Sequence, residues 1–398
     1  MVQKNILFLL FLLSGLFLKA QNKYATEIDS VYQVISGKHV QPFGYISKEK
    51  WKEQLDELKQ KNWSAEQTNL ALIGILQEIN DEHTILFPKE NYILPFRGRI
   101  LKEGFIITVT SSELTTLHLG KLLAINGQKA ESIFSSISRR IKQDNPWYVL
   151  SMSEFYFHNT VVLSGMGILH TDSLNSIQVQ KWNGDTIHAN FRLFPNKPET
   201  KINWTYADVV RKMLPYRKSA NYWYEYIDTS QTLYFNYEKC NEDPNHKFSS
   251  FNKELFHCVK VKKPKKIILD LRSNPGGNSA LIEPFVKSIS KSYLNHPDRF
   301  IVLVGRKVIS SSLMNAVELK QKTKATFIGE PSGGNLYHHG EIQRIYLPQL
   351  NAFFMYSTNT FQLDEQEKGS FLPGVLINYT WKDVVEGNDP ALAAAFAK

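Results

Sequence analysis

The chain has 398 residues, 42% of them hydrophobic and 21% charged, with a formal net charge of +9. That length implies two or three domains rather than one small core, and no long polar or low-complexity tract suggests a disordered arm. The basic residues are scattered, with one local cluster at 260–266. Without a basic stripe or a recognisable module, a nucleic-acid partner is not expected.

Residues 1–20 carry an early positive charge, Lys4, then the almost unbroken apolar run 6–18, then Leu18-Lys19-Ala20 ahead of Gln21. This is the layout of a secretory signal peptide cleaved near Ala20, so the mature chain is expected to be exported, periplasmic or secreted. As a helix the apolar run would rise about 20 Å, short of a ~30 Å bilayer core, and no later segment is long and apolar enough to span a membrane.

Residues 21–95 read as helical. Ser64 and Gln67 have the spacing of a capping box, and Leu72, Ile75, Leu76 and Ile79 mark one helical face. The helix is expected to stop at Asn80, with Asp81-Glu82-His83-Thr84 as a polar turn. Residues 96–195 hold short β-type runs at 104–110, 121–125 and 176–182, turn signals at Asn126-Gly127 and Asn183-Gly184, and a helical stretch at 131–141. They predict a small mixed β domain, and Leu122-Leu123-Ala124-Ile125-Asn126-Gly127 resembles the second half of a PDZ module.

Residues 196–398 read as the largest domain, and from about residue 220 the pattern is α/β. Strands are expected at 232–237, 266–271, 300–304 and 325–328, with a helical face at Ile282, Phe285, Val286 and Ile289 and a helix over 313–322. The fold class is therefore a multi-domain α+β chain whose last, α/β domain has a mostly parallel core sheet with flanking helices. Ligands in such sheets sit at the carboxyl ends of the strands, where the loops carry Gly276, Gly277 and Ser310.

The two cysteines, Cys240 and Cys258, could pair in an oxidising compartment or remain buried free thiols. No Cys-x-x-Cys or His-Glu-x-x-His occurs, and the adjacent His338 and His339 would point apart in a strand. Neither a metal nor another cofactor is implied by any ligand spacing.

Ser310 sits between a strand and a helix, where the helix N-terminus favours developing negative charge. A serine there can equally be a helix cap, and Ser311 and Ser312 compete for any role assigned to it. Asp270-Leu271-Arg272-Ser273-Asn274-Pro275-Gly276-Gly277 follows a buried strand, and paired glycines let backbone N–H groups approach a ligand as an oxyanion hole requires.

Taken together, that motif, the serine-rich junction and Gly329-Glu330-Pro331-Ser332-Gly333-Gly334 resemble the catalytic domain of the tail-specific (C-terminal-processing) serine peptidases. Gly374-Val375 and Gly387-Asn388-Asp389-Pro390-Ala391-Leu392 match that family's closing segments. The resemblance is strong over about half the chain. It implies Ser310 as nucleophile, Gly276 or Gly277 with Ser311 as oxyanion donors, and a peptide or protein substrate.

One branch of the family uses a lysine base, but the position reserved for it holds Asn335. Lys320, Lys322 and Lys324 lie on the following helix or its end. The other branch, that of the tricorn core and the interphotoreceptor retinoid-binding repeats, has an Asp-x-His-Thr segment, matched by Asp81-Glu82-His83-Thr84. The resemblance thus implies His83 as general base and a late carboxylate as its assistant. Glu367, six residues before Pro373, matches that position, with Asp364 and Glu365 as fallbacks.

The chain departs from the family at Leu313, where many relatives have glutamate, at Glu82, where a small residue is usual, and at Leu372-Pro373-Gly374. These departures keep a second reading open, a peptide- or apolar-ligand-binding protein on the same fold. An esterase of unrelated architecture is disfavoured, because no Gly-x-Ser-x-Gly occurs.

Export predicts a mature chain beginning at about Gln21. Intact-mass measurement of protein recovered from an exporting host checks this, and a mass that still includes residues 1–20 would contradict it.

Overall fold

Five successive residues, Phe300–Val304, are all buried, and the same holds for Lys266–Asp270 and for Thr232–Tyr237. Strands buried on both faces belong at the centre of a sheet covered on both sides. In the computed structural model, which describes residues 22–398, they form the middle of a six-stranded sheet. Its order is Tyr222–Ile227, Thr232–Tyr237, Lys266–Asp270, Phe300–Val304, Thr326–Gly329, Val375–Leu376. Only the first pair is antiparallel. The signal segment expected over 1–20 lies outside the described residues.

Helices Phe248–Lys262, Glu283–Ser290 and Ser311–Lys322 cover one face of the sheet through Phe251, Leu255, Phe285, Ile289, Leu313 and Ala316. Trp381–Glu386 and Pro390–Ala397 cover the other through Trp381, Ala391 and Leu392. Lys266 opens its strand with an ammonium that would be costly to bury alone. Its Nζ donates to the carbonyls of Ala395 and Phe396, the last turn of the C-terminal helix.

The same economy ties the two ends of the domain together. Arg272 donates to both carboxylate oxygens of Asp270, to both of Asp389 and to the Tyr379 hydroxyl. One guanidinium thereby clamps the strand-end motif onto the closing Asn388-Asp389-Pro390 segment.

The helices Ala25–Lys38, Lys48–Lys59 and Ala65–Leu76 make up most of the N-terminal region. Ser64 and Gln67 form the full capping box, and Asn80 ends the segment in the left-handed conformation. The next strand, Ile85–Pro88, pairs with Ala352–Gln362, itself the partner of Tyr337–Leu347. This long hairpin, far along in sequence, places Leu347, Leu350, Phe354 and Tyr356 in the same core as the N-terminal helices.

The middle sheet runs past residue 195, because Trp204–Tyr206 pairs with Gly104–Ser111. It also carries two helices the sequence pattern does not announce, Pro146–Phe157 and Thr160–Gly165, each opened by an asparagine cap. Cys240 and Cys258 are both free, Cys240 fully buried and Cys258 half-buried. Among the described residues no helix is long and apolar enough to cross a membrane.

Removing one partner of a buried ion pair leaves an uncompensated charge. Arg272→Met, which strands Asp270 and Asp389, is therefore expected to destabilise the protein by roughly 3–5 kcal/mol in urea denaturation. A change below about 1 kcal/mol would show that the clamp contributes little.

Candidate active site

Three consecutive serines compete at the head of the helix Ser311–Lys322, and their hydroxyls have different fates. Ser311 Oγ donates to the Gly277 carbonyl at 2.6 Å, and Ser312 Oγ to the Asn274 carbonyl at 2.6 Å. Ser312 Oγ also accepts the Ile309 N–H. These two serines staple the helix to the 274–277 loop.

Ser310 occupies the cap position but makes no capping bond, and its half-buried side chain has no hydrogen-bond partner among the described residues. Its backbone is at φ +57°, ψ −130°, a region that costs a non-glycine residue on the order of 1–3 kcal/mol. Ser310 therefore presents an unused hydroxyl on a strained turn at a helix N-terminus and does not act as its cap.

The glycine pair explains how the 274–277 loop reaches this serine. A Cβ on Gly276 would lie 3.0 Å from Ser310 Cβ and 3.1 Å from the Ser311 nitrogen, and φ is +110° there. Only glycine permits that approach. The Gly276 N–H, however, already donates to Asn274 Oδ1 at 2.9 Å. The Gly277 N–H has no acceptor among the described residues, and neither has that of Ser311, the first residue of the helix. Of the expected donors, Gly277 and Ser311 are unspent and Gly276 is not.

Asp81-Glu82-His83-Thr84 is a turn, as expected, but it is buried rather than exposed, none of the four being more than 5% accessible. Asp81 makes this possible by accepting from the His83 N–H (3.0 Å), Thr84 Oγ1 (2.6 Å) and Ser357 Oγ (2.6 Å). It also accepts from His39 Nε2 at 3.1 Å, whose other ring nitrogen takes the Gln41 N–H. Burial would raise the Asp81 carboxyl, but the His39 bond, the nearby His83 and the two hydroxyls outweigh it and hold it well below the usual carboxylate range.

His83 Nδ1 lies 2.7 Å from the His339 carbonyl, which can only accept. The hydrogen of a neutral ring is therefore on Nδ1, and Nε2 carries the lone pair. That Nε2 is buried and has no partner.

The serine and histidine segments meet at Gly334. Its N–H donates to the Val308 carbonyl, and a Cβ there would lie 3.1 Å from Ile309 Cα and 3.4 Å from Glu82 Oε1. The residues on either side of this contact are thus one step from Ser310 and one step from His83. Gly333 packs more closely still, a Cβ there lying 2.2 Å from the Arg306 carbonyl oxygen. Arg306 in turn donates to Glu154 Oε1 and to the Ile100 carbonyl, both at 2.6 Å, fastening the 305–310 loop to the middle region. Arg99 does the same to Glu330 at 2.8 Å.

Glu367 is not brought to His83. It lies on an exposed turn, its N–H donating to Asp364 Oδ1 and its carboxylate without a partner. Asp364 is occupied in that turn, and Glu365 is exposed. The expected carboxylate on His83 Nδ1 is replaced by the His339 carbonyl. That hairpin contact is invisible in sequence, because residues 83 and 339 become neighbours only through tertiary pairing.

Asn335, at the lysine position, is a buried junction. Its N–H donates to Glu82 Oε2, its side chain to Asp144, and its carbonyl bonds His338 Nδ1. Lys320 and Lys322 stay on the exposed helix surface, the latter paired with Glu318. Leu313 is part of the core. No group of three or more His, Cys, Asp or Glu side chains is disposed to hold a metal among the described residues.

The fold has solved counterparts. Over 94% of this chain and 97% of the other, it is similar to mature CPAF complexed with lactacystin, at a TM-score of 0.66 and 11% identity. Mature CPAF alone gives 0.63, also at 11% identity, over 94% and 95% of the two chains. The photosystem II D1 C-terminal processing protease is more distant, at a TM-score of 0.43 and 11% identity over 90% and 94%. At such identities the likeness is one of fold. No protein-family model matches the sequence, and no curated protein sequence does.

Asp81→Asn puts N–H donors where Asp81 accepts, and hydrogen bonds to a charged group are worth ~1.5–3 kcal/mol each. A loss of about 3 kcal/mol at neutral pH is expected. Because the folded carboxyl is held below its unfolded value of about 3.9, its contribution is present above that pH and is lost as pH falls below it. Denaturation of both proteins from pH 7 down to pH 3 should show the gap narrowing below about pH 4. A pH-independent gap would exclude the charge as its source.

Proposed function

We propose that the protein is an exported serine peptidase with Ser310 as nucleophile and His83 as general base and acid. The observation that carries this reading is the free Ser310 hydroxyl on a strained backbone, beside the segment that bears the lone pair of His83 Nε2. In acylation, Ser310 Oγ bonds to the peptide carbonyl carbon while its proton passes to Nε2. The carbonyl oxygen becomes an oxyanion held by the Gly277 and Ser311 N–H groups, each such donor being worth ~3 kcal/mol in an analogous site. Collapse breaks the C–N bond, and Nε2 returns the proton to the leaving amine. Water then attacks the acyl-enzyme through the same base, releasing the acid and regenerating the serine.

The His339 carbonyl holds the imidazole in the required tautomer throughout. The family resemblance makes peptides or unfolded protein tails the substrates, with the 96–195 region helping to present them and export placing the enzyme outside the cytoplasm.

A fluorophosphonate probe, with peptide mapping of the adduct, tests this assignment. A single adduct on Ser310 is expected, absent in Ser310→Ala and formed roughly 10²–10⁴-fold more slowly in His83→Ala, the range of general-base contributions. No adduct on the folded wild type, or an adduct on another residue, would refute it and leave the binding-protein reading.

A further inference from the structure

In that mechanism the imidazolium that forms at His83 has no carboxylate bonded to its ring, since Glu367 is on the surface, Nδ1 faces a carbonyl and Asp81 bonds only the His83 backbone N–H. A buried imidazolium in a water-excluded site needs a nearby negative charge. One is already there. Glu82 is 2% exposed, and its Oε1 lies 3.9 Å from His83 Nδ1. Its Oε2 is held by the Asn335 N–H at 3.1 Å, while Oε1 is buried with no hydrogen-bond partner.

We propose that Glu82 is the charge partner of His83, a positioning residue that stabilises the imidazolium from the residue next to it in the chain, in place of the late carboxylate.

The unpartnered oxygen supports this. A protonated Glu82 with its hydrogen on Oε1 would bury an O–H with no acceptor, whereas an ionised one directs a lone pair at the position where positive charge develops. Burial raises the carboxyl above its usual range, and the charges of His83 and Lys142, with the Asn335 N–H, offset only part of that rise. Lys142 is itself buried and pairs with Asp144 at 3.0 Å. Asp81 opposes, but its charge is shared among His39, Ser357 and Thr84.

On the far side, His338 and His339 stay unprotonated more readily than usual because they are buried. The Tyr148 hydroxyl donates to the Glu82 carbonyl and not to its carboxylate. During catalysis no proton moves to Glu82. It passes from Ser310 to Nε2, and Glu82 lowers the energy of the charged ring.

This rests on the proposed serine mechanism, and two readouts separate their failures. Glu82→Gln keeps an acceptor for the Asn335 N–H, so the fold is retained, while the charge is removed. Glu82→Asp keeps the charge. In NMR titration of the His83 ring, Glu82→Gln should titrate roughly 1 pH unit or more below wild type, the effect of losing an opposite charge at this distance. Glu82→Asp should return most of that shift.

The acid limb of the fluorophosphonate labelling rate should move down by the same amount, with about a tenfold lower plateau. An unchanged His83 titration in Glu82→Gln would overturn the assignment whether or not Ser310 reacts. Absent labelling with a shifted titration would instead refute the peptidase reading and leave the charge pair standing.

Discussion

The site depends on one close backbone approach, in which the 274–277 turn lies against the segment 309–311. A side chain at position 276 would collide with Ser310, and one at 277 would meet the Cys240 carbonyl at 2.4 Å. Two glycines in the positive-φ region remove both obstacles, and Ser311 and Ser312 close the gap with short hydrogen bonds to the loop's carbonyls. Everything the serine would need follows from this contact. The helix dipole, two unspent N–H groups and an unencumbered hydroxyl come together because the two strand-end loops are held in register by a parallel sheet.

The second requirement is to bury a polar turn without orphaning its groups. Asp81 does this by collecting donors from four places, two of them neighbours in sequence and two brought in by the N-terminal helix end and the hairpin. A fully buried carboxylate is tolerable only when its acceptor capacity is filled, and here filling it also fixes the backbone of His83. Two atoms break the pattern, Glu82 Oε1 and His83 Nε2. Unsatisfied atoms on adjacent residues of an otherwise bonded turn are where function is expected to override packing.

Arg306 and Arg99 make the same kind of connection on a larger scale. Each reaches between the strand-end loops and the middle region, so the 305–310 loop and the segment at Glu330 are braced from outside the six-stranded sheet. The N-terminal helices, the middle sheet and the late hairpin share one hydrophobic core. The linear boundaries near residues 95 and 195 therefore describe the order of the chain better than they describe its packing.

What was legible in the sequence was local. The strand Phe300–Val304, the capping box at Ser64, the stop at Asn80 and the serine–glycine motifs are set by side-chain period, cap chemistry and the freedom of glycine, all of which act within a few residues. The helices at Pro146–Phe157 and Thr160–Gly165 were hidden because both faces of the first are largely buried, which erases amphipathic periodicity. Local pattern left three serines, two glycines and several carboxylates open, and the family resemblance singled out Ser310 and His83. What the tertiary structure adds is where each hydroxyl, N–H and carbonyl finds a partner. The Ser311 and Ser312 hydroxyls and the Gly276 N–H are consumed by loops, Glu367 is left in solvent, and His83 is oriented by a carbonyl 256 residues away. Hydrogen bonds between segments that distant have no signature in a linear pattern, so only the tertiary structure could decide them.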